Sequence, residues 1–105
     1  MVVDTEVELP AALKAMAEPL RWQIVNALAR EELCVCHLTG DLGVAQPLIS
    51  HHLRILRDAG LVQSEKWRYW TYYRLNPAAL AALGHQLNAL ASDAPRPSSE
   101  RRPCC

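Results

Sequence analysis

The stretch GDLGVAQPLISHHLRILRDAG, residues 40 to 60, decides how the rest of the chain is read. Pro47 lacks an amide hydrogen and fits only the first turn of a helix, so a helix starts near Gln46. From there Ile49, Leu53 and Leu56 recur at i, i+4 and i+7 and build one apolar face. Gly60 follows the last periodic residue and stops the helix. Upstream, Val35, Leu38 and Leu42 repeat at i, i+3 and i+7 and end at Gly43, which predicts a shorter helix. Two helices joined by a short turn, the second sharply started, form a helix-turn-helix.

Working outward, LPAALKAMAEPLRWQIVNALAR (residues 9–30) carries helical periodicity interrupted by Pro19. It reads as a first helix over about 9–17 and a second over about 19–30. On the other side, LVQSEKWRYWTYYRL (61–75) holds five of the six aromatic residues and is rich in strand formers. This is a hairpin with its tip at Glu65–Arg68, Trp70 and Tyr72 on one face and Tyr69, Thr71 and Tyr73 on the other. A last helix follows, with Asn76 as cap, Pro77 in its first turn and a stripe of Leu80, Leu83, Leu87 and Leu90. The predicted fold is mostly α with a small β-hairpin: a winged helix-turn-helix of four helices, a hairpin and a fifth helix. Residues 1–8 read as an N-terminal extension and 9–91 as the winged helix-turn-helix domain. Residues 92–105 read as a flexible, cysteine-containing C-terminal tail, polar and rich in Pro.

A chain of 105 residues, half of them hydrophobic, sustains one domain with a small core. No apolar run reaches the roughly 20 residues of a membrane span, and MVVDTEVELP lacks the basic start and apolar core of a signal peptide. The expected location is the cytoplasm, where four cysteines are ligands, sensors or core residues rather than disulfide staples. Net charge is zero, but residues 46–74 carry five basic and two acidic side chains whereas residues 1–45 carry three and seven. A basic middle in a neutral chain suits a polyanion partner, although a solvated surface accounts for it equally well. No convergent acid, base and nucleophile set is visible, so neither an enzyme nor a catalytic cofactor is expected.

AEPLRWQIVNAL, ELCVCHL, QPLISHHLRILRDAGLV and YYRL, taken together, resemble the ArsR/SmtB metalloregulatory repressors, of the arsenic-sensing type, over roughly residues 9 to 91. The resemblance implies a homodimer that binds an inverted-repeat operator in double-stranded DNA and releases it when a toxic metal or metalloid binds, which makes 9–91 the DNA-binding and dimerisation domain; the Leu80–Leu90 stripe, with the first helix, is the expected dimer seam. The face of the fourth helix opposite Ile49, Leu53 and Leu56 offers Gln46, Ser50, His51 and Arg54. Gln and Arg pair bidentately with purine edges, and Ser and His reach bases or phosphates. On the wing, Lys66 and Arg68 are candidates for phosphate or minor-groove contact. Trp67 either packs beneath the wing, the commoner use of a Trp, or faces DNA. His52 resembles a histidine that supports the fold rather than reads bases. The family usually has Gly near the wing tip, where this chain has KWRY, and often a Ser cap where it has Ala45.

Cys34 and Cys36 match the Cys-Val-Cys that arsenic- and cadmium-type members carry at the start of the third helix. Thiolates suit thiophilic ions. On a regular helix residues i and i+2 stand about 200° apart, so joint chelation would distort the first turn and strain the neighbouring recognition helix. The arsenic type places a third cysteine where this chain has Thr39, which leaves Cys104 and Cys105 as candidates to complete the site. His37, turned about 100° from Cys36, is expected to be exposed or to support the ligands. The family's zinc site on the last helix uses Asp, His and Glu/His, of which this chain offers His85 alone until Asp93, which disfavours zinc there. The expected inducer is As(III) or Sb(III), with Cd(II) or Pb(II) as alternatives. Two further readings stay open: a repressor answering thiol oxidation instead of metal, and a metal-buffering or interaction winged helix that never reads DNA.

Overall fold

The computed structural model describes residues 9–97 and 101–104. The expected extension over residues 1–8 therefore lies outside the described residues, as does Cys105. Five helices and three strands follow one another as α1 (Ala11–Met16), α2 (Pro19–Leu28), β1 (Leu33–Cys34), α3 (Val35–Leu42), α4 (Gln46–Asp58), β2 (Val62–Trp67), β3 (Trp70–Leu75) and α5 (Pro77–Asp93). This is the expected winged helix-turn-helix with one addition. Leu33 and Cys34 form a short strand rather than the opening of the third helix, and the antiparallel sheet runs β1-β3-β2.

The proline rule places three helix starts: Pro19, Pro47 and Pro77 each sit in a first turn. Gly43 and Gly60 adopt φ of 65° and 80° after α3 and α4, where a left-handed residue releases the chain from the helix at no steric cost. Asn76 departs from expectation. It is the N-cap residue of α5, but its side chain makes no capping bond and Nδ2 donates to the Gly60 carbonyl at 2.9 Å. Its own amide donates to the Leu61 carbonyl. Asn76 therefore ties the start of α5 to the exit of α4.

The core is a single cluster: Ile24, Val25 and Leu28 from α2, Leu33 from β1, Leu38 from α3, Ile49, Leu53 and Leu56 from α4, then Leu61 and Val62. Ala15 of α1 joins them. The α4 stripe is almost completely buried, as its periodicity requires. Leu80 packs on this cluster and Leu83 is buried, whereas Leu87 and Leu90 further along α5 stay exposed. The first half of the leucine stripe thus closes the monomer, and its second half is left exposed.

The wing differs from the sequence reading at its tip. Trp67 pairs with Trp70, so the turn is Arg68–Tyr69 and not Glu65–Arg68. Tyr69 sits in that turn rather than on a strand face. Arg68 takes φ 58°, the left-handed conformation that a two-residue hairpin demands and that glycine would adopt freely. Trp67 does not pack beneath the wing: it is 61 % exposed, Trp70 is also exposed, and Tyr69 is almost wholly so. The reason is register. Trp67 and Trp70 share a face with Glu65 and Tyr72, while Val62, Tyr73 and Leu75 of the opposite face meet the core.

Candidate functional site

On α4 the buried residues are Ile49, His52, Leu53 and Leu56. Gln46, Ser50 and Arg54 recur at i, i+4 and i+8 on the side turned away from them, and His51 stands next to Ser50. Gln46, His51 and Arg54 are exposed and Ser50 is half-buried. The start of this helix has no side-chain cap at Ala45; Pro47 carries no amide hydrogen, and the Leu48 and Ile49 amides donate to the Ala45 carbonyl at 3.1 and 3.2 Å. Sequence reasoning missed Leu48, which is 45 % exposed in that same turn. Its signal was available, since it falls off the 49/53/56 stripe, and an apolar group there suits a thymine methyl.

His52 occupies the opposite, inward face. Its Nδ1 accepts from Arg21 Nη1 at 3.1 Å and lies 3.8 Å from Glu18 Oε2. Arg21 is itself fixed by the Ala15 carbonyl, which accepts from Nε at 2.6 Å, and its amide donates to Glu18 Oε2 at 2.8 Å. An accepting Nδ1 requires the neutral ring with its proton on Nε2. Burial pushes the His52 imidazole below its ordinary value, against the raising effect of Glu18. The expectation that His52 supports the fold agrees with this geometry.

On the wing, Arg74 is occupied: its guanidinium reaches Glu32 at 3.5 Å, Glu65 at 3.6 Å and Gln63 at 3.2 Å. Lys66 and Arg68 make no ion pair among the described residues, and the Arg68 guanidinium lies 5.6 Å from the Trp67 ring centre. The exposed cations of the wing are therefore concentrated toward its tip.

The cysteines are not equivalent. Cys36 is exposed within the first turn of α3, whereas Cys34 is 7 % exposed and stands just outside the helix at φ −92°, ψ 172°. This corrects the expectation that both cysteines lie in the first turn of the third helix. An extended N-cap residue does not obey the 100° helical step, so the roughly 200° separation argued for two helical cysteines does not apply. Cys34 pairs with Tyr72 across β1 and β3, and its Sγ lies 3.3 Å from His37 Nδ1. The same Nδ1 accepts from the Cys34 amide at 3.2 Å, which closes the first turn of α3, and the His37 ring stands 6.4 Å from that of Tyr72. His37, exposed as expected, is thus bonded to Cys34 rather than idle. Cys-x-x-His across an N-cap and third helical position is a capping spacing that the sequence could have revealed. Thr39 turns back to the Cys36 carbonyl at 2.8 Å.

Soft donors, one of them accessible, fit a thiophilic ion. Cys104 is exposed, and no group of three His, Cys, Asp or Glu side chains is preassembled among the described residues. Cys34, Cys36 and Cys104 are consequently not gathered into a finished three-thiol site. No described helix is long and apolar enough to cross a membrane.

Residues 18–64, which run from α2 through α4 into β2, match the family described as "Bacterial regulatory protein, arsR family". The chain is 45 % identical over 69 residues to the arsenic resistance transcriptional regulator ArsR1 of Pseudomonas putida, covering 65 % of this chain and 54 % of that protein. It thus spans little more than half the length of that relative. It is 35 % identical over 83 residues to an arsenical resistance operon repressor of Staphylococcus aureus, covering 79 % of this chain and 80 % of that one. Among solved structures, a homodimeric winged helix-turn-helix DNA-binding domain from Mycobacterium bovis is similar with a TM-score of 0.65 and 28 % identity, over 79 % of this chain and 77 % of that chain. The protein belongs to the ArsR family of bacterial regulatory proteins.

Proposed function

We propose that the protein is a dimeric, cytoplasmic transcriptional repressor that binds an inverted-repeat operator and lets go when As(III) or Sb(III) binds cysteine thiolates. The observation that carries this reading is the position of Cys34 and Cys36 at the start of α3, a helix packed directly on α4. A ligand that rearranges the first turn of α3 acts on the support of the helix bearing Gln46, Leu48, Ser50, His51 and Arg54. Those side chains would enter the major groove, with Lys66 and Arg68 on flanking phosphates or the minor groove. The exposed Leu87 and Leu90 would meet their counterparts across a two-fold axis, with α1 alongside. The similarity to arsenical resistance regulators supports the choice of ion, and the similarity to a homodimeric domain supports the assembly. Cys104 and Cys105 remain the proposed sources of further thiolate. A coupling of about 1–3 kcal/mol between ion and DNA is enough to weaken binding 5- to 150-fold.

The test is a fluorescence-anisotropy titration on DNA from upstream of the protein's own gene, in excess reductant. Arsenite or antimonite should release the wild type and leave Cys34→Ser bound. DNA binding indifferent to every ion would remove the sensing role and keep the DNA-reading one. Release by an oxidant in the absence of metal would favour a thiol-redox repressor instead.

A further inference from the structure

In the major groove the base pairs present hydrogen-bond acceptors, hydrogen-bond donors and one kind of apolar group, the C5-methyl of thymine. Leu48 is the one large hydrophobic side chain of α4 that stays exposed, at 45 %. We propose that Leu48 determines specificity by covering that methyl, and so fixes a thymine in each half-site of the operator. This rests on the DNA-reading part of the function above, is independent of the inducing ion, and adds a base that the operator must contain.

Three observations carry it. The first is position. Leu48 lies in the first turn of α4, and the Cα–Cβ bonds of a helix tilt toward its N-terminus, so the side chains of this turn project past the helix end. The recognition helix of a helix-turn-helix contacts base edges with its N-terminal residues. The helical step sets Leu48 about 60° round the axis from His51, one turn further on, which puts it on the border of the reading face.

The second is composition. Ala45, Gln46, Pro47 and Leu48 are all exposed, and Gln46 is the only polar side chain among them. Placed against guanine O6 and N7 or the cytosine amino group, Leu48 would remove water from those atoms and return no bond. Placed against thymine it buries one apolar group on another. The third is rigidity. The Leu48 amide donates to the Ala45 carbonyl at 3.1 Å, and Pro47 fixes the backbone just before it. The main chain beneath Leu48 is ordered before DNA arrives, so little ordering is left to oppose binding. A lone leucine on an ordinary surface needs no partner. This one is held at the leading end of the recognition helix, beside two other exposed apolar residues.

Deoxyuridine keeps every hydrogen-bonding atom of thymidine and lacks only the methyl, so it isolates this contact. The probe is the shortest duplex from upstream of the protein's own gene that retains sequence-selective binding. Each thymine of one half-site, on either strand, would be replaced by deoxyuridine in turn. Fluorescence anisotropy under reductant, without metal, would give the affinities of full-length wild type, Leu48→Ala and Leu48→Met. Burying one methyl is worth about fourfold in affinity. Wild type should lose about fourfold at one thymine, and so should Leu48→Met, which conserves volume and apolarity. Leu48→Ala should bind the thymine and uracil duplexes for that position within about twofold of each other, the tolerance of a double-mutant cycle. The thymine-to-uracil ratio cancels any loss of folded protein, so it reports the contact even from a destabilised variant.

A wild type that binds selectively yet loses nothing at any thymine would overturn the proposal and leave the DNA-reading function standing. A loss that persists undiminished in Leu48→Ala would also overturn it, since another group then covers the methyl. Absence of sequence-selective binding by the wild type would overturn the repressor reading and this proposal together.

Discussion

Arg21 Nη1 on α2 donates to His52 Nδ1 on α4 across 3.1 Å, and this bond keeps the His52 ring neutral. It links the helix that follows α1 to the inner face of the helix that carries the proposed base-reading residues. Protonating Nδ1 would set a cation against the Arg21 guanidinium in a buried place. The His52 imidazole is accordingly held below its ordinary 6.5, first by burial, then by Arg21 and His51, with Glu18 opposing.

Acid should therefore weaken the fold in two stages. For a base whose folded value is depressed, the unfolded chain binds the proton more readily. The contribution of His52 is complete above about pH 6.5 and is lost as pH falls from there toward the folded value. Glu18 behaves as a depressed carboxylate, stabilised first by the Arg21 amide. Its contribution is present above 4.5 and is lost as pH falls through its lower folded value. Urea midpoints should fall between about pH 7.5 and pH 5 in the wild type and flatten over that interval in His52→Gln, which accepts from Arg21 without titrating. His52→Ala, which takes one acceptor from the half-buried Arg21 guanidinium and empties the buried His52 position, should cost about 1–3 kcal/mol at neutral pH. A slope unchanged in His52→Gln would assign the acid sensitivity to other histidines.

The two cysteines of α3 should separate by stability. Removing the buried Cys34 side chain as Cys34→Ala should destabilise by about 1 kcal/mol, the centre of ordinary mutational losses, because it empties a covered place under His37. Cys36→Ala, at an exposed position, should fall within about 0.5 kcal/mol of wild type. Thermal unfolding under reductant measures both. Equal effects would contradict the division seen between a buried N-cap sulfur and an exposed helical one.

The sequence was legible where a residue type has one physical use. Pro19, Pro47 and Pro77 started helices, Gly43 and Gly60 ended them, and the Ile49–Leu53–Leu56 stripe was buried, so the architecture followed. It was less legible where one side chain had two partners to choose between. Asn76 has capping chemistry, yet its amide went to the Gly60 carbonyl, a tertiary bond that no local pattern encodes. The wing tip was misplaced because strand alternation has no origin until register is set. Val62↔Leu75 facing the core sets it, and this puts Arg68–Tyr69 in the turn and Trp67 in solvent. Cys34 looks helical in the sequence because it directly precedes Val35, the first residue of the Val35–Leu38–Leu42 stripe. The pairing with Tyr72 in β3, nearly forty residues away, is what makes it a strand end.

The α5 stripe predicts opposite outcomes at its two ends. Leu83 is 7 % exposed, and Leu83→Ala should destabilise the monomer fold by about 2–4 kcal/mol, the range for buried leucines. Leu90 is 68 % exposed, and Leu90→Glu should leave secondary structure intact while raising the dimer dissociation constant at least about tenfold, since it introduces paired like charges at a symmetric seam. Sedimentation velocity with circular dichroism reads both. A Leu90→Glu protein that remains dimeric would place the seam elsewhere.

Arg68 brings conformational strain and a cation to the same turn, and the two can be separated. A side chain held at φ 58° costs about 1 kcal/mol relative to a glycine free of the Cβ clash. Arg68→Gly should therefore raise stability by up to about 1 kcal/mol, read as a higher urea midpoint with an unchanged slope. If Arg68 neutralises a phosphate, the same variant should bind operator more weakly and lower the slope of log affinity against log salt by about 1. Lys66→Gln should reproduce the salt effect without the gain in stability, because Lys66 lies in β2 with ordinary backbone geometry. The paired result is diagnostic. A glycine that stabilises and leaves the salt slope untouched would mean that the wing-tip cation faces solvent rather than DNA, and that only strand pairing holds Arg68 in its left-handed conformation.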